Sequence, residues 1–172
     1  MQIKCTKILK YNLYPKATPL ENFEYINKVL DQSIDPPSTQ AKSLILDSDV
    51  ILCSTLNRAR ECLKTSSKVL YMPELKEIPM DLSSVCTLAD WSKKNSAIVR
   101  QKFKEAFIKD ELAISRKQLR QEADKIFEAC NNYKSVTIVS HTFRLILLKA
   151  IYETKGKIIS NPELIHNYID NN

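Results

Sequence analysis

Ser135-Val136-Thr137-Ile138-Val139-Ser140-His141-Thr142 is the stretch that decides the fold. Its β-branched run is the clearest strand in the chain, predicted over 135–140. A strongly apolar helix is predicted at once behind it, over 142–153. The same step occurs earlier, where Val50-Ile-Leu-Cys-Ser54 reads as a short apolar strand and 56–64 as a helix. A strand handing over directly to a helix is half of a parallel β-α-β unit, and its repetition points to an α/β fold.

The rest of the chain extends that pattern. Residues 3–10 mix alternation with β-branched side chains and read as a first strand, and 68–72 reads as another. Helices are predicted over 20–33, from Ser38 or Thr39 to about Leu46, and over 88–109 and 114–131. In the last of these, Leu119, Ala123, Ile126, Phe127 and Cys130 form one apolar stripe. A Pro-containing loop is expected from 73 to about 85, and Gly156 sits where a helix C-terminal glycine belongs. Residues 157–159 and 165–169 read as late, short strands. The architecture expected is a three-layer α/β/α fold with a mostly parallel central sheet, as a single domain over residues 1–172. In such folds the site lies at the carboxyl ends of the strands, so the ends of 3–10, 50–54 and 135–140 should converge.

Composition narrows the chemistry. At 44% hydrophobic, the chain can bury a real core. No apolar run approaches a membrane span, and the Met-Gln-Ile-Lys-Cys start lacks a signal-peptide stretch, so no membrane partner and a cytoplasmic location are expected. The five cysteines have no metal-like spacing, and with only two histidines neither a metal nor another cofactor is expected. The net charge of +6 is spread along the chain, and the basic stretch 100–120 is interleaved with Glu105, Asp110 and Glu111. That is the pattern of a solvated helix face rather than a nucleic-acid surface, and it also suits a pocket for an anionic ligand. The single glycine, Gly156, excludes Gly-rich phosphate loops.

Two residues stand out at the predicted strand ends. Arg58 falls in the first turn of the helix after Ser54, where a planar guanidinium and helix N-terminal donors suit phosphate oxygens. His141 ends the best strand and should face the crevice there, with Thr142 available to cap the next helix.

The segments carrying these residues, Ser54-Thr-Leu-Asn-Arg58-Ala59 and Val136-Thr-Ile-Val-Ser-His141, resemble the histidine phosphatase superfamily, the phosphoglycerate-mutase-like proteins. Cys62 stands where that family often has Thr, and Thr142 where it usually has Gly. The resemblance implies a phosphate pocket in which Arg58, His141 and the Thr142 backbone bind the phosphoryl group. It makes Glu77, in Leu75-Lys-Glu-Ile-Pro, the counterpart of the family's general acid/base, with Glu74 a competing candidate and a solvated loop the ordinary alternative. Gln40-Ala41 resembles a further family pair. Counting back from it places Lys10-Tyr11-Asn12 where the family has Arg-His-Gly, whose His is the nucleophile. Lys10 keeps a positive charge there, whereas Tyr11 is a phenol with a reference pKa of about 10 and a poor nucleophile at neutral pH.

Three functions are consistent with this half-retained pocket. One is a degenerate member that binds a small phosphorylated or other anionic ligand without phosphohistidine catalysis. Another is an active enzyme with altered chemistry at Glu77 and His141. The third is an interaction module whose crevice is filled by Tyr11.

Overall fold

The computed structural model describes residues 2–5, 47–61, 63, 68–78 and 96–169. Its strands are β1 (Gln2–Cys5), β2 (Val50–Ser54), β3 (Val69–Met72) and β4 (Ser135–Val139). Its helices are α1 (Asn57–Glu61), α2 (Ser96–Lys109), α3 (Arg116–Asn131), α4 (Thr142–Glu153), α5 (Lys157–Ser160) and α6 (His166–Ile169), with 3-10 turns at Pro73–Leu75 and Pro162–Ile165. The described strands form one parallel sheet in the order β1-β4-β2-β3. The protein is therefore α/β with a small, all-parallel sheet.

The two central strands explain why the apolar runs became strands. Every residue of β2 is buried, as are Val136 to Val139 of β4, so both faces of these strands are covered. Continuous rather than alternating hydrophobicity is what a parallel strand covered on both faces requires. Thr137 is the polar exception among the four buried residues of β4, and its hydroxyl hydrogen-bonds that of Ser48, which is also buried. The carboxylate of Asp49 accepts the backbone N–H groups of Lys134 (3.1 Å) and Ser135 (3.0 Å), fixing where β4 begins. Val139 pairs with Cys53 across the sheet. Ile51, Cys53, Val139, Ala59 and Leu63 form a buried cluster that seats α1 on the sheet. Strand β3 is an edge of the described sheet and carries the exposed side chains Leu70 and Tyr71. The Arg60 guanidinium lies over the Tyr71 ring, 5.0 Å from its centroid.

The chain sorts into two compact units. Of the described residues, one contains 2–5, 47–61, 63, 68–77 and 122–145, and so holds the whole sheet. The other contains 78, 96–121 and 146–169. In the second unit the turn Pro162–Ile165 packs on α2 and α5, and α6 also touches α2. Phe103, Phe107, Ile158, Ile165 and Ile169 are fully buried there.

Most expected elements are present, with shifted ends. The helix expected over 56–64 starts at Asn57, and that over 114–131 starts at Arg116. Ser115 caps the latter, its Oγ accepting the Gln118 N–H (3.2 Å) and its carbonyl the Leu119 N–H (2.9 Å). Along α3, Leu119, Ala123, Ile126 and Cys130 are buried as the stripe requires, while Phe127 is half-buried. Of the strand over 3–10, Gln2–Cys5 is described, and of the helix over 88–109, Ser96–Lys109. The helices expected over 20–33 and 38–46, and the end of the loop over 73–85, lie outside the described residues.

The late strands are a correction: 157–159 lies in α5, and 165–169 lies in the second 3-10 turn and α6. Ile165 and Ile169 are four apart and both fully buried, which is helical and not alternating periodicity. Gly156 does end a helix. It has φ +82° and donates its N–H to the Ile151 carbonyl (2.8 Å), after Lys155 has already turned to φ 52°. Gly156→Ala should lower stability by about 1 kcal/mol, because an L side chain is strained at that φ. The new Cβ would also lie 1.7 Å from Arg120 Nη1, so that side chain must swing away. Urea unfolding of the variant against wild type checks this, and an unchanged midpoint would refute it.

Candidate functional site

Because β1, β4 and β2 are parallel neighbours, their carboxyl ends share one edge of the sheet. Ser54 is the last residue of β2, and His141 follows β4 by two positions. The Ser54 Oγ and His141 Nε2 are 2.9 Å apart, joining segments 87 residues apart in sequence. Both side chains are buried, Ser54 at 0% exposure and His141 at 2%. Ser54 Oγ also accepts the Leu56 N–H (3.3 Å), so this hydroxyl orients both the turn into α1 and the imidazole. The His141 carbonyl accepts the Leu145 N–H (2.8 Å). The cap position of α4 therefore falls on His141, and Thr142 is the first helical residue rather than the cap.

A second polar group binds the segment after β3 to the start of α4. Ser140 Oγ donates to the Leu75 carbonyl (2.6 Å), and Arg144 Nε donates to the Lys76 carbonyl (2.8 Å). Arg144 Nη1 pairs with Glu122 Oε2 at 2.7 Å, with the Arg144 side chain only 5% exposed. Glu77 Oε1 accepts the backbone N–H of Arg144 (3.2 Å). That N–H is among the donors at a helix start with no partner inside the helix, so Glu77 caps α4 from another segment, with its negative charge at the favourable end of the dipole. Glu74 instead forms an ion pair with Lys125 (3.3 Å), whose side chain is largely exposed.

The expected site residues are thus distributed as follows. His141, Thr142 and Glu77 come together around the start of α4. Arg58 falls in α1, whose five residues give far less dipole than the helix expected over 56–64, and its side chain is outside what the structure describes. Lys10 and Tyr11 lie outside the described residues. The second histidine, His166, opens α6 instead of sitting on a late strand; it is exposed and 3.2 Å from Glu163. Cys53 and Cys130 are buried, and Cys53 Sγ donates to the Ser54 carbonyl (3.2 Å). Among the described residues, no three His, Cys, Asp or Glu side chains gather as metal ligands would.

Sequence reasoning overlooked Arg144 and treated Ser54 only as part of a pattern. Arg144 carried a usable signal. A cation in the first turn of a helix opposes the dipole, so its presence on an otherwise apolar segment points to a carboxylate partner. Ser54 carried none, because its partner lies in a distant segment and only the strand order brings the two together.

Comparison of the chain with models of known protein families, with characterised proteins and with solved structures finds no match to any of them.

Proposed function

We propose that this chain is a divergent histidine-phosphatase-like protein, built as a three-layer α/β/α domain, whose retained half-pocket binds a small phosphorylated or other anionic ligand without phosphohistidine catalysis. The observation that carries the reading is the Ser54–His141 hydrogen bond of 2.9 Å. It joins the two segments that bear the family-like motifs, at the sheet edge where a parallel α/β fold keeps its ligands. Burial of both faces of β2 and β4 supports the three-layer architecture. Arg58 and His141 are the ligand-binding residues, with the Thr142 backbone beside them. Lys10 and Tyr11 replace the Arg-His pair that covalent transfer needs, and binding needs only donors and charge. No described helix is long and apolar enough to cross a membrane. A cytoplasmic setting rich in phosphorylated metabolites fits the reading.

Titration of the full chain with inorganic phosphate and with vanadate tests this. Binding that Arg58→Ala weakens by about tenfold or more is expected, since a charge-assisted contact contributes roughly 1.5–3 kcal/mol. Equal affinity in wild type and Arg58→Ala would remove Arg58 from the site.

The position of Glu77 favours a second reading, an active enzyme with altered chemistry in the same crevice. Its carboxylate sits at the start of α4, three residues from His141 through the Arg144 N–H. A carboxylate there can serve as general acid or base only by leaving the cap. Turnover of an aryl phosphate that disappears in both Glu77→Gln and His141→Ala is the signature of this reading, and turnover surviving both would eliminate it.

A further inference from the structure

Among the described residues, β3 has β2 as its one neighbour in the sheet. In a parallel ladder, alternate residues of a strand turn their backbone groups toward a given neighbour. The Ile51 N–H bonds the Lys68 carbonyl (2.8 Å), so Lys68 and Leu70 face β2. The N–H and C=O groups of Val69 and Tyr71 therefore point the other way, along the edge of the described sheet. Sheet edges are ordinarily blunted by charged side chains, proline or a bulge, whereas Val69–Met72 carries neither charge nor proline. Leu70 and Tyr71, as successive strand residues, lie on opposite faces of the sheet, and each is 45% exposed. Each has a cation beside it. The Arg60 guanidinium lies over the Tyr71 ring, and the exposed Lys68, two residues before Leu70, shares the face of Leu70. Glu74, just beyond the strand, is held by Lys125 (3.3 Å).

We propose that the β3 edge is a docking surface for an extended acidic segment of another protein, which adds to the sheet as a strand beside Val69–Met72. Main-chain hydrogen bonds to Val69 and Tyr71 supply the affinity. Because Leu70 and Tyr71 stand on opposite faces, the partner must cover both, with two consecutive apolar residues instead of an alternating pattern. Acidic residues flanking that pair meet Lys68 on one face and Arg60 on the other, which sets the sign of the partner's charge. The same cations argue against a second copy as the occupant. Two β3 edges paired antiparallel would bring Arg60 and Lys68 of both copies to one seam, between chains that each carry +6. A platform of four residues is short, so the complex is of the weak, transient kind. This surface is separate from the anion site and does not depend on it.

The test is fluorescence anisotropy at low salt, with the full chain and a short labelled peptide in which a Val-Ile pair is flanked by Asp and Glu. One control peptide carries Lys in place of the acids. A second is methylated at the backbone nitrogens of the Val-Ile pair, one of which faces the β3 edge in either register. The acidic peptide should bind at least about tenfold tighter than either control, because one has the wrong charge and the other cannot pair its backbone. Reversing both cations, in the double variant Arg60→Glu with Lys68→Glu, should lower its affinity by about tenfold and raise that of the lysine peptide. Equal binding of the methylated peptide would reduce the contact to charge attraction and overturn strand addition. Equal binding of the lysine peptide, or no binding of the acidic one at about 1 mM, overturns the inference as well. Sedimentation of wild type alone covers the other occupant: a dimer that Tyr71→Lys dissociates would assign the edge to a second copy and overturn it too. Should the double variant fail to fold, the three peptides on wild type decide the matter by themselves.

Discussion

Arg144→Met should lower the melting temperature by roughly 9 °C, from a loss of about 3 kcal/mol at the low end for a broken buried ion pair and about 3 °C per kcal/mol in a chain of this size. The low end applies because the Glu122 side chain is 23% exposed and regains part of its hydration once unpaired. The rest of the cost comes from the Lys76 carbonyl, which loses the Arg144 Nε donor. Glu122→Gln removes the charge but keeps an acceptor for Arg144 Nη1, and should cost about 1 kcal/mol. A double-mutant cycle between the two positions, followed by circular dichroism, isolates the pair. A melting temperature within 2 °C of wild type in Arg144→Met, where about 9 °C is expected, would show that the clamp between residues 75–77 and α4 is not a stabilising element.

The second large effect is expected at the imidazole. If His141 contacts the anion as proposed, His141→Ala should reduce phosphate affinity by more than about tenfold, since such a contact would be charge-assisted. It should also cost about 2–3 kcal/mol of stability, from the cavity left by a side chain 2% exposed and from a buried Ser54 hydroxyl that loses the imidazole and keeps only the Leu56 N–H. Ser54→Ala separates the two effects. It leaves the imidazole in place but removes the atom that orients it, so affinity should fall by less than in His141→Ala, with a loss near 1 kcal/mol. Equal binding losses in both variants would mean that the imidazole acts only through its orientation by Ser54. An aryl-phosphate assay run on the same proteins decides between the two readings of function. Silence in wild type supports binding without turnover, and hydrolysis that His141→Ala abolishes transfers the conclusion to the altered enzyme.

The legible parts of this chain were those governed by local rules. The apolar runs of β2 and β4, the stripe of α3 and the terminating role of Gly156 follow from periodicity and backbone chemistry over a few residues. The failures lie where local rules are weak. Residues 157–169 hold apolar pairs too short to reveal a period, and Pro162 and the left-handed Gly156 divide them into single turns that look like strand fragments on paper. The place of His141 at the carboxyl edge of the sheet could be read because it follows a strong strand. Its partner Ser54 could not, because the order β1-β4-β2-β3 is not written in either segment. The capping role of Glu77 was hidden for the same reason, since the N–H it accepts belongs to a helix 67 residues away.

The place of β4 also bears on how the protein is made. It enters between β1 and β2, although the 80 residues 55–134 lie between Ser54 and Ser135, and β1 pairs with β4 alone among the described strands. On the ribosome, β2 and β3 can pair early, but β1 must wait for residues 135–139 to emerge before it can pair with β4, its neighbour among the described strands. Such long-range parallel pairing is slow and leaves apolar strand edges open in the meantime. A nascent chain stalled before Ser135 would therefore expose the Val50–Ser54 strand and bind holding chaperones, and one stalled after α4 has cleared the exit tunnel would release them.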